Sequence, residues 1–198
     1  MAAIAVAGCH GAAPPENASN LNEIAAARAA KDAMLRNPAD SPIPIERRGD
    51  FLPLAYFPPD PAYIVPASLA PSTTSIVVQM PTSTGDVRSM YLVGTLEFTL
   101  KGQQLSLGAF VESGSRDINR LFVPFTDLTS GTETYAGGRY LDLDRTPTGI
   151  YVIDFNRAYH PYCYYNPTFD CPYAPAGNRL PVPVRAGERL RERASTAH

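Results

Sequence analysis

The sequence lacks the features that mark several large functional classes. No apolar run reaches the length of about 18 residues that a membrane-spanning helix needs. The 17 Lys and Arg residues are scattered and are outnumbered by 19 Asp and Glu residues, so no phosphate-binding surface is indicated. Glycine-rich cofactor loops and the Gly-x-Ser-x-Gly elbow of many hydrolases are also missing. We therefore expect no nucleic-acid partner and no cofactor.

Proline is what the sequence has in excess. Twenty of its 198 residues are proline, which is about twice the usual share of roughly 5%. Proline fixes φ and removes a backbone donor, so it interrupts helices and suits turns, strand edges and extended loops. With 44% apolar and 18% charged residues, the composition is that of a globular domain with a sizeable core. The balance favours a mainly β fold.

The N-terminal segment resembles the start of a bacterial lipoprotein. A short apolar run ends in Val6-Ala7-Gly8-Cys9, and small residues before a cysteine are typical of a signal-peptidase site at which that cysteine is lipidated. The segment departs from the pattern because no Lys or Arg precedes its rather short apolar run. The following residues are polar and Pro-containing, so we interpret 1–20 as a lipoprotein-like signal and flexible tether. We expect an extracytoplasmic protein anchored to the membrane by a lipid on Cys9; the alternative is an Ala-rich N-terminus with an incidental cysteine.

One helix and a series of strands follow. Residues 21–36 have helical spacing and end at Asn37-Pro38, which predicts an amphipathic helix packed on the domain. Later runs have the alternation and turn signals of strands; they are 63–69, 75–80, 87–100, 104–110, 121–125, 139–143 and 149–155. Strands at this spacing, without β-α-β alternation, predict an antiparallel β-sandwich or barrel.

The run 87–100 has the clearest strand pattern. Its apolar residues share one parity and are therefore predicted to share one face; they are Met90, Leu92, Leu96, Phe98 and Leu100. Gly94, in the middle of the run, predicts a bulge or a sharp bend.

The longest stretch without a helix or strand pattern is 154–185. It contains two of the three cysteines together with many tyrosines and prolines. We predict a long Pro/Tyr-rich loop that packs on the β framework. The charged end, 191–198, is predicted to be a solvated tail, which leaves 21–190 as a single β-rich domain.

Three long motifs stand in the second half of the chain. They are 121–140 (LFVPFTDLTSGTETYAGGRY), 154–166 (DFNRAYHPYCYYN) and 171–188 (CPYAPAGNRLPVPVRAGE). Together with Arg28 and Tyr56-Phe57-Pro58, they resemble the bacterial and archaeal proteins grouped as domain of unknown function 1684 (DUF1684), over residues from about 21 to 190. The sequence differs from the usual pattern at His160, where asparagine is more typical, and at Gly177, where an acidic residue is common. The resemblance implies a β-rich domain, often preceded by a lipoprotein signal, without an established activity.

Cys163 and Cys171 lie eight positions apart in the Pro- and Tyr-rich stretch. If Cys9 is lipidated they are the remaining pair, and an oxidising compartment favours a disulfide between them. Closing such a small loop would stabilise the fold by about 2–3 kcal/mol. One alternative is a metal site with His160 as third ligand, although the spacing fits zinc patterns poorly, and another is a Cys–His nucleophile. We predict the disulfide and no metal.

Four residues are candidates for catalysis. Asp127 and Glu133 lie in a D-x-T-S-G-x-E run between two strands, and Asp154 ends the last strand. With His160 they could supply the general acid and base of a hydrolase. The alternative is that these side chains bind the backbone of their own turns.

Five further residues are candidates for binding a ligand or partner; they are Arg139, Asn156, Tyr159, Tyr162 and Arg179. The two arginines have apolar neighbours in the sequence and are expected to be partly buried, with Asp154 and Glu133 as partners. An unpaired arginine facing a cleft would instead bind an anion. The tyrosines could stack on a sugar or peptide, or form a small core under the loop.

Two functions are consistent with these patterns. The first is a lipid-anchored binding or assembly module whose loop presents tyrosines to a protein partner. The second is a hydrolase-type enzyme with a pocket where the 154–185 loop meets the β-domain. Convergence of two candidate carboxylates and His160 in one pocket would favour the enzyme, whereas pairing of these carboxylates with arginines or backbone amides would disfavour it.

Overall fold

The computed structural model describes residues 15–39, 41–115, 117, 119–146 and 150–191. The α-helices are α1 (Pro15–Arg36), α2 (Arg48–Phe51) and α3 (Tyr162–Tyr165), and four single-turn 3-10 helices lie at Ile45–Arg47, Pro61–Tyr63, Phe155–Arg157 and Ala176–Asn178. The strands are β1 (Ile64–Pro81), β2 (Val87–Leu100), β3 (Gln103–Glu112), β4 (Arg120–Phe125), β5 (Arg139–Asp144) and β6 (Ile150–Asp154). The predicted lipidation site, Cys9, and most of the predicted tail, 192–198, lie outside the described residues.

The six strands form one antiparallel sheet in the order β5-β4-β3-β2-β1-β6, which is nearly closed into a barrel. The predictions of a mainly β fold, antiparallel pairing and an N-terminal helix are confirmed. The helix begins at Pro15 and therefore includes the last residues of the predicted tether. None of the helices in the described parts of the chain is long and apolar enough to cross a membrane.

Two of the predicted strands are one. Apart from Tyr63, the predicted runs 63–69 and 75–80 both belong to β1, which is continuous from Ile64 to Pro81 with a register shift between Pro71 and Ile76. Proline is tolerated there because β6 pairs with β1 only from Ile64 to Ser68, so Pro71 lies beyond that ladder. The prediction of a break was wrong because an irregularity in the pairing accommodates these residues without ending the strand.

A bulge in β2 corrects the predicted parity of its apolar residues. Leu92 pairs with Phe110 and Gly94 pairs with Ala109, so Val93 is an extra residue that shifts the register. As a result Met90 lies on the outer face, whereas Leu96 and the later apolar residues lie in the barrel core. The bulge predicted at Gly94 is confirmed, and the single apolar face is wrong.

Gly94 is required by the close approach of two strands. A Cβ atom at this position would lie 2.4 Å from the carbonyl oxygen of Ala70 in β1. Any side chain would therefore push β1 away from the bulge. Gly94 therefore lets β1 and β2 approach closely where the apolar side chains of β2 change from the outer to the inner face of the sheet.

The two faces of the sheet pack different side chains. The inner face forms the main core, whose members include Ala67, Leu96, Phe98, Leu107, Val123, Leu141, Ile153 and Phe155. The outer face carries a smaller cluster of Met80, Met90 and Phe110. The inner face of the sheet is therefore fully covered, and the outer face is covered in part.

The chain from 155 to 185 packs closely on the barrel. The buried Asn178 side chain accepts a hydrogen bond from Gly108 N (2.7 Å) and donates to the carbonyl oxygens of Gly108 (2.9 Å) and Pro124 (2.7 Å). Leu180 and Val184 belong to the main core. These contacts hold the segment against β3 and the end of β4.

Candidate ligand-binding groove

A groove of about 690 Å³ crosses the outer face of the sheet. Strands β2 to β5 each contribute one floor residue, and the chain from 161 to 172, which we call the wall segment, forms one side. The floor residues are Met90, Phe110, Phe122 and Tyr140, and the wall side chains include Tyr162, Phe169 and Cys171. We call this feature the outer groove.

Strand register brings the floor residues together. Phe110 in β3 pairs directly with Phe122 in β4, and the bulge turns Met90 to the same face. The ring of Tyr140 stands edge-on to Phe122, with centroids 4.7 Å apart. Aromatic pairs in this arrangement attract each other beyond the effect of buried area. The floor is therefore a continuous apolar strip across four strands.

The wall segment is fixed to the sheet at both ends. Near its start, the backbones of Tyr140 and Tyr159 exchange two hydrogen bonds, of 2.8 and 3.1 Å, along the edge of β5. At its end, Tyr140 donates its hydroxyl to the carbonyl oxygen of Pro172, and Ser83 N donates to Cys171 O at 2.9 Å. The segment therefore lies across the sheet from β5 to the end of β1.

Ion pairs line the rim of the outer groove. Arg88 contacts Asp170 at 2.9 Å and Arg120 contacts Asp142 at 3.1 Å. The hydrogen bond from Arg120 to Asp142 raises the pKa of the arginine. Tyr159 donates its hydroxyl to Asp142 at 2.9 Å. The rim thus presents charges of both signs around an apolar floor.

Cys163 and Cys171 lie together in the wall segment as free thiols. The Cys163 N–H points at Cys171 Sγ, 3.3 Å away, and the Cys171 N–H donates to the hydroxyl of Ser83. The hydrogen bond from Cys171, with help from Ser83 and Tyr135, lowers the pKa of the Cys163 thiol to about 6, whereas the same contact raises the pKa of Cys171. The predicted disulfide is not shown and stays a prediction.

Asp127 is engaged in a buried ion pair with Arg139. Arg139 Nη2 lies 2.8 Å from Asp127 Oδ2, and both side chains are 1% exposed. Arg139 also donates to the carbonyl oxygens of Val184, Ala186 and Glu188. Burial lowers the pKa of Arg139, and the neighbouring Asp127 opposes that shift. The arginine therefore ties the C-terminal segment to the barrel, and its predicted partners, Asp154 and Glu133, were wrong.

Glu133 and Asp154 pair elsewhere. Glu133 receives two parallel hydrogen bonds from Arg185, of 2.8 and 2.9 Å, at a half-exposed site. Asp154 accepts from the backbone and side-chain nitrogens of Asn156 and from Arg157. These contacts are the arginine and turn pairings that disfavour a catalytic role.

His160 is buried beside a carboxylate that the sequence analysis missed. Its Nε2 accepts a hydrogen bond from Tyr135 N at 3.3 Å, and its Nδ1 lies 3.8 Å from Glu188 Oε2. Burial, followed by the positive charges of Arg139 and Lys31, lowers the pKa of His160 well below its ordinary value. The imidazole is therefore neutral over the physiological range.

Glu188 is the centre of this buried polar cluster. One oxygen accepts from Lys31 in α1 at 2.5 Å, and the other accepts from His160 N (2.7 Å) and from the Tyr165 hydroxyl (2.8 Å). Nothing local in the sequence marks Glu188, because its partners Lys31 and His160 lie 157 and 28 positions away. A single acidic residue in a charged C-terminal run gives no signal of burial.

The four candidate catalytic residues, Asp127, Glu133, Asp154 and His160, do not meet in the outer groove, since none of them lines it. Within the described parts of the chain, no group of three His, Cys, Asp or Glu residues could hold a metal ion. His160 directs its ring to Tyr135 and Glu188, not to the cysteines.

Of the candidate binding residues, Tyr159 and Tyr162 line the outer groove. Asn156 is buried and exchanges two hydrogen bonds with the backbone of Asp60. Arg179 is exposed, so its predicted burial was wrong, and its backbone pairs with Thr126. The floor residues Phe110 and Phe122 were missed because their strand pattern does not tell the outer face from the inner one.

Comparisons with known proteins give a family and several similar solved structures. The family model described as "Protein of unknown function (DUF1684)" matches residues 49–189. A solution NMR structure of an uncharacterised protein from gene locus rrnAC0354 of Haloarcula marismortui is 38% identical, with a TM-score of 0.68, and the match covers 88% of this chain and 96% of that one. No curated protein matches the chain.

Proposed function

The chain belongs to the DUF1684 family, whose description assigns no activity, and we propose that it is an extracytoplasmic, lipid-anchored binding or assembly module that holds a partner in the outer groove. The volume of the groove, about 690 Å³, is within the range of about 300–1,000 Å³ typical of ligand sites. The lipobox-like sequence around Cys9 supports the anchor.

The aromatic floor is the observation that carries the binding proposal. Phe122 is partly exposed at the floor of an open groove beside the buried Tyr140, and Tyr162 in the wall is 40% exposed. Aromatic side chains in such positions supply most of the binding energy at many protein interfaces. The mixed charges of the rim favour an elongated partner with apolar side chains and charges of both signs, which a segment of a protein provides.

In this proposal the Pro/Tyr-rich chain from 154 to 185 acts as a lid on the β framework. Its wall segment forms one side of the outer groove, and Asn178 and Leu180 hold its later part against the barrel. A fixed wall reduces the ordering cost of binding. The hydrolase alternative has less support, because Asp127, Glu133 and Asp154 are engaged by arginines or by backbone and side-chain amides.

A pair of matched tyrosine variants tests the binding proposal. Tyr162 lines the outer groove and is 40% exposed, whereas Tyr173 is 37% exposed and does not line it. We expect Tyr162→Ala to weaken the binding of anilinonaphthalene sulfonate, followed by fluorescence, about tenfold, a loss of about 1.4 kcal/mol. Tyr173→Ala is expected to leave it unchanged. Equal effects of the two variants would mean that the dye does not bind in the outer groove.

A peptide library screened against the full chain tests the partner class. Retained sequences are expected to combine apolar and charged residues and to lose affinity for Tyr162→Ala. Retention that is insensitive to this variant would place peptide binding elsewhere.

Mass spectrometry of the membrane fraction of a bacterial host tests the anchor. We expect a chain that begins at Cys9 and carries acyl groups, and we expect Cys9→Ser to release the protein from the membrane. An unmodified mass that retains Met1 would contradict the anchor.

A further inference from the structure

The two thiols of the wall segment are already arranged for each other. Cys163 directs its N–H at Cys171 Sγ, 3.3 Å away, and both side chains pack in one cluster with Tyr140. Both residues are less than 10% exposed, and Cys171 forms part of the lining of the outer groove. A reagent in the groove therefore reaches Cys171, while Cys163 does not line the groove and is 8% exposed.

We propose that Cys163 and Cys171 are a site of reversible thiol–disulfide exchange with small disulfides, and that the disulfide form of the wall segment binds the groove ligand more tightly. The inference rests on the proposed function of the outer groove, since it names how that site is regulated.

The exchange is balanced with a small disulfide as oxidant. The Cys163 thiolate attacks one sulfur of the reagent, and one thiolate of the reagent leaves. The Cys171 thiol then loses its proton and attacks Cys163 Sγ, and the second thiolate leaves. The protein has lost two protons and two electrons, and the reagent disulfide has become two thiols. The low pKa of Cys163, which the hydrogen bond from Cys171 produces, supplies the attacking thiolate near neutral pH.

The outer groove would respond to this bond because the cysteines are next to groove residues. Tyr162 precedes Cys163, and its ring contacts Phe169 with centroids 5.4 Å apart. Asp170 precedes Cys171 and holds Arg88 on the rim. A bond between the sulfurs closes the chain from 163 to 171 into a ring and restricts both groups. A wall that is ordered before binding loses less entropy when the ligand arrives, so the affinity rises.

Thiol counting tests the exchange itself. The full chain carrying Cys9→Ser has Cys163 and Cys171 as its two thiols. After incubation with oxidised glutathione, we expect both thiols to disappear, with a mass lower by two hydrogens, and to return with dithiothreitol. Cys163→Ser on the same background is expected to retain an unbridged Cys171. Thiols that persist in the folded protein under oxidised glutathione would overturn the proposal.

Dye binding in the two redox states tests the effect on the groove. We expect anilinonaphthalene sulfonate to bind the oxidised chain several-fold more tightly than the reduced chain. A variant with both Cys163→Ser and Cys171→Ser is expected to bind the dye without any redox response.

Equal or weaker binding by the oxidised chain would overturn the inference, while sensitivity to Tyr162→Ala would leave the proposed function standing. Absence of dye binding in both states would overturn both.

Discussion

The inner face of the sheet keeps its side chains out of water, whereas the outer face borders a groove in which Phe122 is partly exposed beside the buried Phe110 and Tyr140. Leu96 and Val123 on the inner face are fully buried, but Tyr162 beside the outer groove is 40% exposed. Burial of aliphatic side chains stabilises the fold by about 25 cal/mol per Å² of apolar surface removed from water. Apolar surface that stays accessible contributes no such term and is available to a partner. Changes on the inner face should therefore affect stability, and changes at the more exposed Phe122 and Tyr162 should affect binding.

Charged pairs follow the same division. Arg139 and Asp127 are each 1% exposed, while Arg120 on the groove rim is 69% exposed. A buried ion has lost its hydration, so its stability depends on its partner. An exposed ion is hydrated by water when its partner is removed. Four substitutions, in order of expected effect, test this difference between buried and exposed sites.

The largest loss of stability is expected for Arg139→Ala. The variant leaves the Asp127 carboxylate and the carbonyl oxygens of Val184 and Ala186 buried without their donor. We expect the free energy of unfolding in urea to fall by about 3–5 kcal/mol. The matched control is Arg120→Ala on the rim, with an expected loss of about 0–1 kcal/mol. Similar losses for the two variants would show that the buried and the exposed ion pair contribute equally to stability.

Gly94→Ala comes next, because Gly94 sits where β2 changes from one face to the other. Its Cβ would lie 2.4 Å from Ala70 O, so β1 and β2 must separate. We expect a loss of about 1–3 kcal/mol in thermal or urea unfolding. Gly49→Ala is the control, since a Cβ there meets nothing within 4 Å. A Gly94→Ala protein of unchanged stability would show that the strands can move apart freely.

A pH-dependent loss is expected from His160. Its pKa in the folded state lies well below 6.5, because burial and then Arg139 and Lys31 disfavour the imidazolium. Below about pH 6.5 the unfolded chain binds a proton that the folded chain does not, so stability falls as the pH falls, by up to about 1.4 kcal/mol per pH unit. His160→Asn should lack this part of the slope when both proteins are unfolded in urea at pH 7.5 and 5.5. Identical slopes would mean that the folded protein accommodates the protonated ring.

The smallest effect is expected for Asp142→Asn on the groove rim. The change removes the charge that pairs with Arg120 but keeps an oxygen for the Tyr159 hydroxyl. Since the pair is largely exposed, we expect a loss below about 1 kcal/mol that disappears in high salt. Urea unfolding at low and high salt checks this expectation. A larger, salt-independent loss would mean that the rim is part of the core.

Local patterns predicted much of the fold. Alternation and turn residues placed β2 to β6, whereas the role of the proline- and tyrosine-rich chain stays a prediction. The sequence did not predict that the apolar residues of β2 change faces. The extra residue Val93 reverses their alternation, and Gly94 is the one local sign of a bulge there. The pattern of apolar residues cannot say how a bulge will be used.

The site was less predictable than the fold. Tyr159 and Tyr162, chosen because aromatic residues in a long loop need a surface to pack on, line the outer groove, and their role in binding stays a prediction. Lys31 and Glu188 were missed, since a pair separated by 157 positions leaves no periodic signal. The candidate carboxylates were chosen by chemical type, and chemical type does not tell a catalytic acid from one that pairs with an arginine.

The ion pair between Lys31 and Glu188 joins two parts of the chain that are synthesised far apart in time. Helix α1 is translated early, but its buried partner emerges from the ribosome only after all six strands. Arg191 follows and binds the backbone oxygens of Gly49 and Asp50. The buried cluster around Glu188 therefore forms only after all six strands have been synthesised.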